Sequence, residues 1–257
     1  MAAKEMQGLA VLGIDIGGSG IKGGPIDVGT GALVADRLRI PTPRPASPAS
    51  VADVVARIVV HFNWSGAIGC TFPGVVKDGV VQTAANVDKG WVGIDARDLF
   101  EQRTGCPVTV LNDADAAGMA EMRFGAGREQ RGLVMMITLG TGIGTALFMD
   151  GHLVPNAELG HLIIRGKDAE HRASDRARSK RRWGWKKWAK RLDEYLRYLE
   201  ALLNPDMFIL GGGVSKKHER YLAYLTTSAP VLPAEKGNEA GIVGAAVAAS
   251  EQAPPEL

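Results

Sequence analysis

The sequence is poor in cysteine and in long apolar runs, and each shortage excludes a class of protein. Its two cysteines, Cys70 and Cys106, lie far apart in a chain of 257 residues and form no metal-binding or redox motif. A disulfide scaffold is therefore not expected, and a reducing compartment fits. No apolar run reaches the length of a membrane span, and the first residues lack the basic start and apolar stretch of a signal peptide. We expect a cytoplasmic protein without a membrane partner.

Two common nucleotide-binding motifs are missing as well. No Gly-x-x-x-x-Gly-Lys-Ser/Thr string occurs in the sequence, which excludes a P-loop enzyme. Residues 18–23, GSGIKG, formally match the fingerprint of dinucleotide-binding proteins. That fingerprint requires a helix that begins inside the turn, and Gly23, Gly24 and Pro25 would break such a helix. We therefore reject a dinucleotide site.

What is present is an alternation of short apolar runs and helical periodicities, in a chain that is 46% hydrophobic and 23% charged. The pattern predicts an α/β protein of two modest lobes or one large domain. Stretches beginning at Gly8 (GLAVLGIDIGGSG) and Gly132 (GLVMMITLGTGIG) each join an apolar strand to a glycine turn, which indicates a duplicated architecture or a chance likeness. Strands are predicted over 9–16, 67–72, 107–111, 133–139, 145–149 and 207–210, and helices over 47–62, 95–104, 114–124, 185–203 and 240–250.

The two glycine turns are candidate phosphate-binding loops. Glycines allow backbone amides to face an anion, and Asp15, at the end of the first strand, is placed to hold Mg²⁺ directly or through water. The alternative is a pair of plain hairpins that need glycine for a positive φ. The candidate phosphate-binding residues are Asp15, Gly17, Gly18, Ser19, Gly20 and Lys22 in the first turn, and Thr138, Gly140, Thr141 and Gly142 in the second.

The motifs DIGGSG, TFPG, LNDADAA, TLGTGIG and ELGH, in this order, resemble those of bacterial ROK-type sugar kinases over residues 9–248. Within that family, the strings GGSGIKGG, AANVDKGW, NDADAAG, GTGIG and NEAGIVGAA are most similar to polyphosphate-using glucokinases. The resemblance implies an α/β, actin-like ATPase (RNase H-like) fold, with two lobes and an interlobe cleft. It implies an N-terminal lobe of residues 1–111 and 239–257, and a C-terminal lobe of residues 112–238.

The resemblance also implies roles for individual residues, with Asp113 matching the catalytic base. Sugar contacts are implied for Gly74, Asn86, Asn112, Asp113, Glu158 and His161, and Glu170 is the candidate for one further sugar-binding glutamate. Gly211, Gly212 and Gly213 match the turn beside the nucleoside in ATP-using relatives. Many family members carry a cysteine zinc cluster after the Glu-x-x-His element. The corresponding region of this sequence has no cysteine, so we expect no zinc site and only Mg²⁺ as cofactor.

Several of these residues also have plainer interpretations. Asp113 is placed to accept a proton from a sugar hydroxyl, but it could equally be the N-cap of the helix that follows. Glu158 could be a solvated surface residue and His161 a packing residue. Their three-residue spacing puts them on one face if the segment is helical. That geometry favours a joint role in bonding sugar hydroxyls, which both donate and accept.

The charge of the chain is unevenly distributed. The net charge is +2, yet residues 165–191 contain twelve Lys or Arg and three Asp or Glu, interleaved with Trp183, Trp185 and Trp188. Three interpretations stay open: a solvated segment with packed or subunit-contacting tryptophans, a track for polyphosphate, and a nucleic-acid surface. The last is disfavoured because no nucleic-acid fold signature accompanies it. A polyphosphate track would use Lys180, Arg181, Arg182, Lys186 and Lys187.

With these features, the resemblance implies an enzyme that phosphorylates the 6-hydroxyl of glucose with inorganic polyphosphate as donor, ATP as a candidate second donor, and Asp113 as general base. The alternatives are an ATP-dependent glucokinase or other hexose kinase, a non-catalytic sugar-sensing protein, and more distantly an actin-like phosphatase or ATPase. Sugar-responsive repressors related to this family carry a preceding helix-turn-helix domain, for which a first strand near Leu9 leaves no room. The expected partners are glucose and the donor, without nucleic acid, and a homodimer is the family expectation.

Overall fold

The computed structural model describes residues 10–84 and 87–252, which form two compact units. Unit 1 comprises the described residues up to Ala120 and those from Glu239 onward, and unit 2 is Glu121–Asn238. This division keeps Asp113 in unit 1, whereas the sequence-based boundary after residue 111 put it in the second lobe. Within the described residues, no helix combines the length and the apolar character that a membrane crossing needs.

Strands and helices alternate along the chain, as the sequence pattern predicts. The strands are β1 Ala10–Ile16, β2 Ile21–Asp27, β3 Ala32–Leu33, β4 Leu38–Ile40, β5 Ile68–Phe72, β6 Val76–Lys77, β7 Val80–Val81, β8 Val108–Asn112, β9 Leu133–Leu139, β10 Ile143–Met149, β11 His152–Val154, β12 Ile163–Ile164, β13 Lys167–Asp168, β14 Met207–Gly211 and β15 Val231–Pro233. The helices are α1 Pro48–His61, α2 Ala96–Thr104, α3 Asp113–Phe124, α4 Glu170–Ala173, α5 Asp175–Lys180, α6 Trp185–Leu203 and α7 Ala240–Gln252. Short 3-10 turns occur at Lys89–Trp91, Leu159–His161, Ser215–Arg220, Leu222–Tyr224 and Gly237–Glu239.

Unit 1 is built on a sheet with the strand order β3-β2-β1-β5-β8, and β4 also pairs with β2. The strands β1, β5 and β8 are mutually parallel, while β2 is antiparallel to β1. Because β1, β5 and β8 end at the same edge, the residues that follow them are brought together there. A separate hairpin, β6–β7, follows β5.

Unit 2 is built on a second sheet, with the strand order β11-β10-β9-β14-β15. The hairpin β9–β10 repeats the antiparallel strand–glycine turn–strand arrangement of β1–β2, and β14 lies parallel to β9. The two sheets therefore share one plan, as the internal likeness in the sequence predicted. The small hairpin β12–β13 lies outside this sheet and leads into α4.

Local sequence explains where the helices begin and end. The helix α1 begins after Ser47, whose hydroxyl accepts a hydrogen bond from the Ser50 N–H, and Pro48 occupies the first turn, where its missing N–H is not needed. The helix α2 begins after Asp95, whose side chain caps it, and ends at Gly105 in the left-handed conformation. The predicted bounds of α1, α2 and α6 are confirmed to within one residue at each end.

The alanine-rich helix α7 lies directly against the sheet of unit 1. A side chain added at Gly13 of β1 or at Gly69 of β5 would overlap the backbone of α7, so strands and helix meet at glycine. Gly244 of α7 meets the carbonyl of Ala116 in α3 in the same way. This contact ties α3 to unit 1 and explains why Asp113 belongs there.

Candidate active site

Three candidate residues of unit 1 lie at one edge of its sheet. Asp15 is the penultimate residue of β1, Gly74 follows β5, and Asp113 follows β8 as the first residue of α3. Neighbouring strands are about 4.8 Å apart, so β1 and β8, which flank β5, are separated by about 10 Å. The carboxyl edge of parallel strands is where α/β folds bind ligands. The fold therefore gathers sequence-distant candidates at an edge suited to binding.

The carboxylate of Asp15 is held by side chains from the two neighbouring strands. Lys22 Nζ lies 2.8 Å from its Oδ2, and Thr71 Oγ1 donates to its Oδ1 at 2.9 Å. The backbone register sets Lys22, Asp15 and Thr71 directly opposite one another across β2, β1 and β5. Thr71 is fully buried and its Oγ1 also accepts from the Ile16 N–H at 3.0 Å. These two contacts fix the carboxylate of Asp15, and the ammonium group of Lys22 is engaged in the ion pair with it.

The first glycine turn, residues 17–20, is closed by a hydrogen bond of 3.1 Å from the Gly17 N–H to the Gly20 carbonyl. Two side chains outside the motif brace it. Arg39 of β4 donates from its guanidinium to the carbonyl of Ser19 at 3.1 Å, and the Thr42 hydroxyl donates to the carbonyl of Gly17. The sequence analysis missed Arg39 and Thr42, because their proximity to the turn depends on the pairing of β4 with β2.

None of the predicted phosphate-turn glycines has a positive φ, either in the first turn or at Gly140 and Gly142 in the second. The alternative that these turns are plain hairpins requiring such glycines is therefore wrong. At Gly20, an added side chain would lie 2.7 Å from the Arg39 guanidinium, the flexible end of a side chain that would have to move. At Gly140, no described atom lies within 4 Å of an added Cβ, so neither conformation nor internal packing requires glycine there.

The structure shows which residue caps the helix α3, a role that the sequence left open for Asp113. Asn112 is the N-cap of α3, because its Oδ1 accepts from the N–H groups of Ala114 at 2.7 Å and Asp115 at 3.1 Å. The alternative interpretation of Asp113 as this cap is wrong: Asp113 is the first helical residue, and it is exposed. The start of a helix favours a negative charge. Asn112 is only 7% exposed, so its implied sugar contact would be made from a buried side chain.

Gly74 links the end of β5 to this cap. Its carbonyl accepts from Asn112 Nδ2 at 3.1 Å, and its N–H donates to the Phe72 carbonyl at 2.9 Å. A side chain at Gly74 would overlap the carbonyl of Thr83, so only glycine fits. These contacts give Gly74 a structural role, and its backbone contact with sugar stays a prediction. Asn86 lies outside the described residues.

In unit 2, the structure brings together the candidate sugar-binding residues Glu158, His161 and Glu170, and adds Asp168. The segment after Glu158 is a 3-10 turn rather than an α-helix, and it puts His161 Nε2 3.8 Å from Glu158 Oε2. Asp168 Oδ2 lies 3.1 Å from His161 Nδ1. Ligand-type atoms of His161, Asp168 and Glu170 all lie within 4.8 Å of one another. The imidazole is 58% exposed, so the interpretation of His161 as a packing residue is wrong.

The electrostatics of this cluster follow from its geometry. The hydrogen bond to Asp168 raises the pKa of His161, partial burial opposes the rise, and the nearby charges of Glu170 and Glu158 add to it. Burial raises the pKa of Glu158, while His161 lowers it and Glu170 raises it further. The cluster therefore favours a protonated imidazole beside a carboxylate, a combination that can donate to and accept from one hydroxyl.

The second glycine turn and the turn at 211–213 share one edge of the unit 2 sheet. A hydrogen bond of 3.1 Å from the Gly140 N–H to the Gly142 carbonyl closes the first of these turns. Thr138, at the end of β9, pairs in register with Gly211 of β14. Glu170 Oε2 lies close to Gly142, where an added Cβ would be 2.5 Å away from it. The predicted phosphate turn, nucleoside-side turn and Glu170 are thus neighbours.

The predicted basic segment combines packed tryptophans with exposed cations. Trp188 is fully buried, and its indole N–H donates to the Ala173 carbonyl at 2.9 Å. Trp183 is half-buried, with the charged groups of Arg181 and Lys187 4.8 and 5.7 Å from its ring centre. The five predicted track residues are all exposed. Within the described parts of the chain, none of them has a carboxylate at ion-pair distance: Lys180, Arg181, Arg182, Lys186 and Lys187.

A second basic segment, missed by sequence reasoning, joins this surface. Lys217 and Arg220, in the 3-10 turn Ser215–Arg220, lie 5.9 and 6.0 Å from the ring of Trp185. Tyr221 stacks on the same ring at 6.0 Å. The basic surface is therefore formed by residues 178–187 and 217–220 together.

Comparison with known proteins places this chain in a family. A family model described as the ROK family matches residues 11–179, well over half of the chain. The chain belongs to the ROK family. Like its solved ROK relatives, it has the α/β, actin-like ATPase fold that the motif resemblance predicted.

Two relatives of this ROK chain are similar over almost its whole length, and a third is more distant. A polyphosphate glucokinase of Mycobacterium tuberculosis is 52% identical over 237 residues, which cover 92% of this chain and 89% of that one. The inorganic polyphosphate/ATP-glucomannokinase of Arthrobacter sp. strain KM is 49% identical, with a TM-score of 0.91 over 95% of this chain and 99% of that one. A ROK family glucokinase from Streptomyces griseus, in complex with glucose and AMPPNP, is 27% identical, with a TM-score of 0.80 over 94% and 99%.

Proposed function

We propose that this protein phosphorylates glucose at the 6-hydroxyl with inorganic polyphosphate as phosphoryl donor and Asp113 as general base. About half of the aligned residues are identical to those of two relatives named as polyphosphate-using sugar kinases. This identity supports both the proposed reaction and the proposed donor. The exposed position of Asp113 at the start of α3 supports its role as base. A carboxylate there accepts the proton of the sugar hydroxyl as the new bond to phosphorus forms.

The proposed phosphate sites are the two glycine turns. In the second turn, Gly140 has open space on the side where a Cβ would project and no conformational need for glycine. An external group that approaches the backbone there supplies a reason for glycine. The backbone amides and the hydroxyls of Thr138 and Thr141 are the proposed donors to phosphate oxygens. In the first turn, Ser19 and the amides of residues 18–20 have the same proposed role, while the Gly17 N–H closes the turn onto the Gly20 carbonyl.

Mg²⁺ is part of the proposal, with Asp15 as the candidate acid. Both oxygens of Asp15 already accept from Lys22 and Thr71, so this environment fits a hydrated ion better than one bound directly to the carboxylate. When bound, a divalent cation neutralises negative charge on the donor phosphates. Lys22, through its ion pair, keeps Asp15 oriented at the base of the turn.

The proposed glucose ligands are the residues for which the family resemblance implies a sugar contact: Asn112, Asp113, Glu158 and His161, with Glu170 as a further candidate. A sugar needs groups that donate and groups that accept, because each hydroxyl does both. The combination of carboxylates, an amide and an imidazole supplies that mixture. Whether mannose is accepted as well depends on the 2-hydroxyl, and the same assay can measure it.

The basic surface is the proposed binding site for the polyphosphate chain outside the catalytic residues. Its five predicted track residues have no carboxylate at ion-pair distance among the described residues, and a polyanion would relieve their mutual repulsion. A linear polyphosphate presents one charge after another at close spacing, so several cations can bind it at once. Binding of this kind weakens steeply with salt, because it releases counterions.

One comparison of donors tests the proposal. Glucose phosphorylation is measured with long-chain polyphosphate and with ATP, each with Mg²⁺ and at several salt concentrations. We expect turnover with polyphosphate and a KM for polyphosphate that rises with salt more steeply than the KM for ATP. The absence of glucose 6-phosphate with either donor would contradict the proposed function.

An ATP-dependent glucokinase is the second candidate. The Streptomyces griseus relative was solved with glucose and AMPPNP, and the turn at 211–213 adjoins Thr138 here. The same donor comparison decides between the two, since activity with ATP alone would favour this candidate. Binding of glucose without turnover would instead favour a sugar sensor. The cytoplasm and a homodimer are the proposed setting, and sedimentation at several concentrations tests the dimer.

A further inference from the structure

Asp168 contacts the proposed sugar site through His161, and no role was assigned to it from the sequence. Its Oδ2 lies 3.1 Å from His161 Nδ1, within hydrogen-bond distance. On the other side of the ring, Nε2 lies 3.8 Å from Glu158 Oε2, which is too far for a good hydrogen bond. Asp168 is therefore the carboxylate within hydrogen-bond distance of the imidazole, at Nδ1. The other nitrogen, Nε2, lies near Glu158 but beyond good hydrogen-bond distance from it.

The hairpin β12–β13 fixes Asp168 in this position. Ile163 and Asp168 are paired in register, and the chain reverses at Arg165 and Gly166, both with positive φ. The Ala169 N–H then donates to the Leu162 carbonyl at 2.8 Å. These backbone contacts return the chain to the 3-10 turn that carries His161. The position of Asp168 is thus set by main-chain geometry rather than by a flexible loop.

We propose that Asp168 is a positioning residue for glucose: it accepts the Nδ1–H of a protonated His161, so that Nε2–H donates to a sugar hydroxyl whose own proton bonds Glu158. This inference rests on the proposed function. A hydroxyl has one proton, so it cannot donate to both an imidazole lone pair and a carboxylate. It can accept from an imidazolium while it donates to the carboxylate. The protonated ring is therefore the state that satisfies both neighbours through a single hydroxyl.

The charges around the ring support this protonation state. Asp168 on β13, Glu158 before the 3-10 turn and Glu170 at the start of α4 all raise the pKa of His161, Asp168 most strongly, and partial burial alone opposes them. The strand β10 packs against the same turn and faces it with the neutral Thr145, whose Oγ1 accepts from the Leu159 N–H. We expect the KM for glucose to rise as the pH passes upward through the pKa of His161, because the donor at Nε2 is then lost.

Two variants separate orientation from charge. In Asp168→Asn, the amide oxygen still accepts from Nδ1 but no longer stabilises the imidazolium, so the pH above which the glucose KM rises should move to lower values. In Asp168→Ala, both contributions are lost, and the KM for glucose should rise about 10-fold even at low pH. In both variants, kcat and the KM for polyphosphate should stay close to those of the wild type. Asp36→Asn, the same change at an exposed position of unit 1, is the control.

A measurement independent of turnover completes the test. The imidazole signals of the five histidines are followed by NMR against pH, and a His161→Gln variant assigns that of His161. We expect the pKa of His161 to fall in Asp168→Asn. An active wild type whose glucose KM, pH profile and His161 titration are all unchanged by both variants would overturn the inference and leave the proposed function intact. A wild type that does not phosphorylate glucose contradicts the proposed function and this inference together.

Discussion

Asn112 and Asp113 are neighbours in the chain with opposite surroundings. Asn112 is buried, with its amide bonded to the start of α3 and to Gly74, while Asp113 is exposed at the first position of the helix. Within the NDAD motif, Asn112 is thus the residue that caps α3. The cap does not depend on Asp113, so a substitution there should leave the start of α3 in place.

Asp113→Asn should therefore lower kcat while preserving the fold. Loss of a general base typically reduces turnover by about 10²–10⁴-fold, and the amide keeps the size of the side chain. Glucose binding, measured by calorimetry, should persist, and the unfolding midpoint should stay close to that of the wild type. Asp98→Asn, which removes another acid from the first turn of a helix, is the control. Near-normal turnover in the Asp113 variant would remove Asp113 from the role of base.

Gly140→Ala tests the second phosphate turn at a position that internal packing leaves open. Its φ is not positive, and no described atom lies within 4 Å of an added Cβ. We expect the free energy of unfolding to change by less than about 0.5 kcal/mol, while the KM for the phosphoryl donor rises because the methyl group occupies the phosphate position. Gly66→Ala, which lies outside every proposed site and whose added Cβ would meet nothing closer than 3.4 Å, is the control. An unchanged donor KM would place the phosphate elsewhere.

At the scale of elements, glycines inside two strands allow a helix to pack closely on the sheet, which the hydrophobic periodicity of the sequence does not predict. The strands β1 and β5 contain Gly13 and Gly69 where α7 crosses them backbone to backbone. This close approach lets a helix rich in alanine, with little side-chain volume, close over the sheet. The same helix begins beside Asp15, since a side chain at Gly241 would lie 2.8 Å from the Asp15 carboxyl carbon. Packing and site are therefore linked through α7.

Gly69→Ala should destabilise unit 1. The added methyl group would overlap the carbonyl oxygen of Ala245, and backbone on both sides leaves little room to relax. Overpacking of this kind costs about 1–3 kcal/mol or more, which chemical denaturation would detect. Gly66→Ala, three residues earlier, has its nearest contact at 3.4 Å from the Trp64 ring and should be tolerated. Equal stability of the two variants would contradict the packing described for α7.

At the scale of the whole molecule, the uneven charge is the main feature. The sum of +2 conceals a basic surface in unit 2 to which two separate segments contribute. The charged groups of Arg181, Lys187 and Lys217 lie within 6 Å of a tryptophan ring centre, and all three residues are exposed. A partner with repeated negative charges would complement such a surface, and the proposed polyphosphate donor has such charges.

Neutralising the five track residues, Lys180, Arg181, Arg182, Lys186 and Lys187, to glutamine should raise the KM for long polyphosphate more than that for ATP. It should also flatten the dependence of log KM for polyphosphate on log salt concentration, because fewer counterions are released. The control changes the same number of exposed Lys or Arg residues in unit 1. Equal effects on both donors, or an unchanged salt dependence, would count against a polyphosphate track.

The sequence by itself determined the features that depend on near neighbours along the chain. Helix bounds follow from caps such as Ser47, Asp95 and Gly105, strands follow from apolar runs, and the family follows from short motifs in order. Only the tertiary structure decided which side chains meet across strands and hairpins: Thr71 with Asp15, Arg39 with the first glycine turn, and Asp168 with His161. These contacts depend on strand register and chain reversal. A shift of one residue would turn each side chain to the opposite face, and no local pattern in the sequence records that choice.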